Sequence, residues 1–168
     1  MEDLVYFYNE YRVPAQHLIA ILLAGAIWRR GGDPERWLIA TFLGTMVVPV
    51  WLLWWLGFSS ATDGTVKLFG LLIDVVAAGL FIAIALRANR NYPLWIAAFQ
   101  LVALGGHMVS IVPIDVTPLT LVILVVGPSY CQLLLLLAGF VRHVRRERRF
   151  GPYRPWRIAP PAIGGLTA

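Results

Sequence analysis

The chain has 168 residues, of which 59% are hydrophobic, and its mean hydropathy is +0.72. A soluble domain sits nearer half apolar, and soluble helices each show one polar face, so this composition argues against a water-soluble bundle. The net charge is +5, but its Lys and Arg residues gather at the ends of apolar blocks, as topology determinants do, which argues against nucleic-acid binding.

The N-terminus, MEDLVYFYNEYR, is acidic and aromatic, without the basic region that opens a cleaved signal peptide. Tyr6, Phe7, Tyr8 and Tyr11 suit a membrane–water interface. They form either a short interfacial helix or the start of one long helix from Leu4, kinked at Pro14. Five apolar segments follow, at 13–28, 37–58, 68–86, 94–114 and 119–141. A spanning helix needs about 20 predominantly apolar residues. Pro49 and Gly127-Pro128 interrupt the second and fifth, which neighbouring helices can accommodate.

The connections RRGGDPER, SSATDGTVK, RANRNYP and DVTP carry three, one, two and no Lys or Arg, and seven more lie from Arg142 onward. Basic loops therefore alternate, and the positive-inside rule predicts the N-terminus outside and the C-terminus in the cytoplasm. An odd number of spans agrees, since it requires the two ends to lie on opposite sides. The predicted fold is all-α: about five transmembrane helices in an antiparallel bundle over residues 1–141, with a basic, Pro/Gly-rich cytoplasmic tail over 142–168. Arg142, Arg145, Arg146, Arg148 and Arg149 would extend the fifth helix and meet lipid headgroups or a docking partner. The remainder of the tail is too rich in Pro and Gly to build a core, so holding it in place would call for a partner.

Polar side chains at membrane depth are costly and mark candidate sites. Asp74 falls about 9 Å from the outer start of segment three, and His107 about 10 Å from the outer end of segment four, at 1.5 Å per residue. Matching depth on adjacent antiparallel helices predicts an Asp74–His107 pair. It would serve either as a polar clamp between helices or as a proton-handling or ligand-binding pair. Gln100, Ala103, His107 and Ser110 form one stripe, facing Gly70, Asp74, Ala77 and Phe81, and Gln132 is placed to reach Gln100. Isolated His17 and His107 in the outer half are the available ligands for a bis-histidine haem site, but nothing else marks one. No cofactor is expected, although a bound lipid or pigment is compatible with the sequence. No metal-ligand cluster is apparent. His143 reads as a solvated or headgroup-facing residue, and Cys131 as a small apolar filler. Trp51, Trp54 and Trp55 read as an aromatic belt, with a pigment- or lipid-stacking surface as the alternative.

The runs ALRANRNYPLWIAAFQLVALGGHMV and PSYCQLLLLLAGFVRHVRR resemble a group of small uncharacterised multi-pass inner-membrane proteins of alphaproteobacteria. The shared features are Asp74, Arg87 and Arg90 before PLW, Gln100, His107 and the basic Arg142–Arg146 end. The resemblance implies a bacterial inner-membrane location and no particular activity. With no soluble domain and no catalytic motif, the leading expectation is an accessory or structural subunit of a larger inner-membrane complex, with a photosynthetic or respiratory assembly as a natural host. The alternatives are a small proton-coupled transporter using Asp74 and His107, or a membrane enzyme acting on lipids or quinones.

Overall fold

In the computed structural model, the structure describes residues 2–57, 64–111, 118–151 and 154–157. It is all-helical: α1 (Glu2–Arg30), α2 (Asp33–Trp55), α3 (Gly64–Arg87), α4 (Tyr92–Ile111) and α5 (Pro118–Phe150). Three stretches are long and apolar enough to cross a membrane, namely Asp33–Trp55, Leu68–Arg87 and Tyr92–Val109. The connections read at 59–67 and 115–118 fall largely outside the described residues.

α1 is one continuous helix with Pro14 inside it, rather than an interfacial helix followed by a separate span. Tyr130 of α5 donates a 3.1 Å hydrogen bond to the Arg12 carbonyl, tying α5 to α1 beside this proline. α5 likewise runs through Pro128 and continues past the apolar segment to Phe150, so Arg142–Arg149 do extend it.

α2 is not uniform. A single π turn, Leu43–Val47, joins the α-helical stretches Asp33–Phe42 and Val48–Trp55. Pro49 explains its position. Proline has no N–H to give, and its ring clashes with the carbonyl four residues back, so the preceding turn widens. The Val48 N–H then reaches the Leu43 carbonyl, five residues away. Thr45 Oγ1 donates to the Thr41 carbonyl at 2.8 Å, supplying a local acceptor's partner within the widened turn.

Each helix packs on its sequence neighbours, most extensively α4 on α5 and α3 on α4, and α5 closes the circuit onto α1. The buried face of each recurs every three to four residues: Ala20, Leu23 and Ile27 on α1, Leu38, Ile39 and Phe42 on α2, Ala77, Phe81 and Ile84 on α3, Ile96 and Ala97 on α4, Leu133 and Leu136 on α5. The opposite faces are equally apolar, with Leu18, Leu22, Leu72, Val76 and Leu134 all exposed. Water would penalise such a surface, whereas hydrocarbon would not, which fits a membrane protein.

The described tail residues are held by the chain itself. Asn89 N–H donates to the Pro155 carbonyl at 3.1 Å and Arg157 N–H to the Arg87 carbonyl at 2.8 Å, pairing Ala88 with Trp156 in an isolated antiparallel bridge. Trp156 packs against the core from this position. Residues 158–168 lie outside the described set.

Candidate functional site

Four polar side chains inside the bundle, Asp74, Gln100, His107 and Gln132, form one network. Asp74, 4% exposed, faces α4 from the buried side of α3. Its Oδ1 accepts from Gln100 Nε2 at 3.0 Å, and its Oδ2 meets His107 Nδ1 in an ion pair that is charged when the ring is protonated. Gln132 Nε2, from α5, donates to Gln100 Oε1 at 2.9 Å and to the Ile96 carbonyl at 3.2 Å. The network thus crosses α3, α4 and α5, the three most extensively packed helices. Buried polar groups are tolerable only when each finds partners, and these do.

A cavity of about 170 Å³ adjoins this network, lined among others by Gln16, His17, Asp74, Gln100, His107 and Gln132. Its volume is far too small for a haem but comparable to cavities that hold a few waters or one six-membered ring, so size excludes haem and not a quinone head. His17 lines the cavity from α1, buried, and its Nδ1 accepts from Trp51 Nε1 at 3.1 Å. That bond leaves the neutral ring's proton on Nε2, and the backbone at Met46, in the π turn, hydrogen-bonds the same ring. His17 and His107 both reach the cavity, but the bond from Trp51 leaves the His17 Nε2 protonated and so unable to ligate, whereas His107 keeps Nε2 beyond its Asp74 contact. The bis-histidine haem reading therefore gains no support from the geometry. Ser110 contributes backbone to α4, but its side chain lies outside what is described.

Trp51 is correspondingly more than a belt residue. It hydrogen-bonds His17 on one edge and meets Trp54 edge-on, with ring centroids 6.0 Å apart and planes at 79°. Trp54 and Trp55 are the most exposed of the three, as a lipid-facing belt requires.

A second polar centre, which the sequence reading did not identify, occupies the opposite, basic end of the bundle. Glu35, fully buried at the start of α2, forms an ion pair with Arg90 from the α3–α4 connection. Tyr92 donates its hydroxyl to Glu35 Oε1 at 2.8 Å. Arg90 also contacts His143 Nδ1 at 3.2 Å, and His143 Nε2 lies 3.6 Å from Glu147 one turn further along α5. His143 is buried, which corrects its reading as a solvated residue. A guanidinium can only donate, so Nδ1 accepts, and the ring sits there neutral with its proton on Nε2. Burial lowers the His143 pKa below the ordinary 6.5, and the Arg90 charge lowers it further, against a smaller opposing effect of Glu147. Gly32 lets the α1–α2 turn lie directly on this cluster. A Cβ there would stand 3.0 Å from Glu35 Oε2 and 3.1 Å from Arg90.

Arg142, Arg145, Arg146, Arg148 and Arg149 are all exposed along the end of α5, and Arg142, Arg145, Arg146 and Arg149 share one face with Leu134 and Leu137. Cys131 is partly buried and carries a free thiol. Among the described residues, no three His, Cys, Asp or Glu side chains converge as a metal-binding set. No protein-family model, curated protein or solved structure matches the chain.

Proposed function

We propose that the chain is a five-span bacterial inner-membrane protein, N-terminus out and C-terminus in the cytoplasm, that acts as an accessory or structural subunit of a larger membrane complex. In this reading the Asp74–His107–Gln100–Gln132 network is a clamp that fixes α3, α4 and α5 against one another. One observation carries the structural role over a transport role. Between the network and the basic-end cluster, the bundle is filled by Phe42, Phe81, Ile96 and Leu136, each no more than 2% exposed. Among the described residues, the buried polar side chain at this level is Thr41, whose hydroxyl does not titrate, so the layer offers no titratable group to pass a proton between the two centres. The apolar outer faces and the exposed arginine face of α5 supply surfaces that a partner's helices and anionic headgroups would cover.

The test is direct. Native membranes solubilised in mild detergent should yield the chain in a stable species larger than its own 18.7 kDa. A monodisperse monomer would sink the proposal. Reporter fusions at the two termini check the topology separately, and equal signals from one side would overturn the five-span reading.

The cavity beside Asp74 and His107 favours one second reading, a proton-coupled carrier using that pair. The closed network and the apolar layer count against it. Proton flux in proteoliposomes that vanishes in Asp74→Asn, with folding intact, would reverse that ranking.

A further inference from the structure

On the outside of the bundle at its basic end, α2 and α3 diverge to leave a groove of about 830 Å³. Its floor is made by small residues, Ala40, Gly44 and Ala83, beside Leu80 and Ile84. Gly44 is exposed in the π turn, and a Cβ built on it would meet nothing within 4 Å. The trough is thus open to the bundle's outer surface, narrow and apolar, with dimensions along α3 of about 10 Å from Leu80 to Arg87 at 1.5 Å per residue. Hydrocarbon chemistry fits it.

Its mouth has the opposite character. Arg87 ends α3, and Arg157 arrives from the tail; both are exposed and both line the groove. They are not neighbours by accident of side-chain rotation. The hydrogen bond from Arg157 N–H to the Arg87 carbonyl, and its companion from Asn89 to Pro155, set the two residues opposite each other across the bridge. Like charges held opposite are mutually destabilising. Among the described residues no acidic side chain lines this groove or pairs with either guanidinium. A phosphate between them would convert that repulsion into two charge-assisted contacts. Trp37, also at this mouth and exposed, suits the headgroup level.

We infer that the α2–α3 groove is a binding site for one anionic phospholipid, whose phosphate sits between Arg87 and Arg157 and one of whose acyl chains lies over Ala40, Gly44 and Ala83. The charge pair selects an acidic headgroup: a zwitterionic one would add a cation to two existing cations. The tail bridge is then a lipid-dependent latch, because the anion offsets the repulsion that the bridge creates. The inference rests on the membrane-spanning reading above and is independent of the accessory-subunit reading.

The experiment is native mass spectrometry of the full chain, purified in mild detergent and supplied with phosphatidylglycerol or phosphatidylcholine in turn. The wild type should retain one phosphatidylglycerol in preference to phosphatidylcholine. Two arginines at a membrane surface, together, correspond to roughly a 10- to 30-fold preference. Arg87→Gln with Arg157→Gln should erase that preference, whereas Arg29→Gln with Arg30→Gln, exposed at the end of α1, should keep it. A Cβ on Gly44 has open space, so Gly44→Leu projects into the trough and should reduce occupancy by either lipid. Retained preference in the Arg87/Arg157 variant, or equal loss in the Arg29/Arg30 variant, overturns the site. So does a wild-type dimer that Gly44→Leu converts to monomer with its lipid still bound, because the groove would then be covered by a second copy. Inorganic phosphate alone protecting the bridge equally well in hydrogen exchange would also overturn it, since no lipid would be required. Failure of the terminal reporter fusions, by contrast, would remove the membrane reading itself.

Discussion

Glu35 and Arg90 form an ion pair sealed inside the basic end of the bundle, one at the first turn of α2 and the other in the connection between α3 and α4. It joins the two halves of the fold where the loops alone would leave them independent. Tyr92 and His143 complete its shell, so all of α2, α4 and α5 contribute.

Breaking this pair from one side should be far costlier than removing it whole. Arg90→Met leaves a buried carboxylate uncompensated, and a loss of about 3–5 kcal/mol is expected. Glu35→Leu combined with Arg90→Met should recover most of that. Unfolding titrations in detergent of the two single variants and the double variant check this. Additive losses would mean the pair is not coupled.

The cluster should also be sensitive to acid. His143 has a folded pKa below its ordinary 6.5, so the unfolded chain binds more protons as pH falls past that value. Stability is therefore full above about pH 6.5 and declines as the pH drops toward the folded pKa. Protonation would also place an Nδ1–H against the Arg90 guanidinium, which can only donate. Thermal unfolding at pH 7.5 and 5.5 should show the decline, and His143→Asn should flatten it. A wild type more stable at pH 5.5 would contradict the assignment.

Gly139 and Gly25 should respond to alanine in opposite ways. A Cβ on Gly139 would lie 2.7 Å from the Tyr92 ring, which its bond to Glu35 holds in place. Overpacking of that kind costs typically 1–3 kcal/mol. At Gly25 a Cβ meets nothing within 4 Å, so alanine should be neutral or stabilising by up to about 1 kcal/mol. Melting temperatures of the two variants in one detergent decide the matter.

Replacing Asp74 tests the clamp. Asp74→Ala strands the Gln100 amide and His107 without their acceptor, at a cost of about 1–3 kcal/mol. Gln132→Leu should cost less, on the order of 0.6 kcal/mol, as typical interhelical polar contacts do. Neither change should alter proton flux in proteoliposomes. A flux change at unchanged stability would transfer the pair from architecture to transport.

Sequence reasoning reached the Asp74–His107 contact because depth along a helix is set by counting residues, and two rare polar residues at equal depth on adjacent helices have few other partners. The same counting brought Gln132 to Gln100. It did not reach Glu35–Arg90–His143. Glu35 and Arg90 stand in loops dense with arginine, where charges read as topology markers, and His143 sits among five arginines. Burial at a helix end depends on how loops fold back, and residue spacing does not record that. The tail bridge was hidden for the same reason: Pro155 and Trp156 carry no strand periodicity, and only the approach of Arg87–Asn89 gives their backbone a partner. The π turn had a visible cause in Pro49, but a proline announces an interruption without saying how the helix will absorb it.

That π turn has a consequence for the end of the bundle away from the arginine cluster. Closing a hydrogen bond over five residues instead of four inserts one residue into the winding, which at 3.6 residues per turn shifts the phase of everything after it by about 100°. Before the turn, Leu38, Ile39 and Phe42 point into the core; after it, Val48–Trp55 contains no buried residue, and Trp51 reaches across to His17 instead. α2 therefore presents two faces in series, one committed to the apolar interior and one to the neighbouring histidine and the surrounding hydrocarbon. A straight helix of the same composition would have to choose between them.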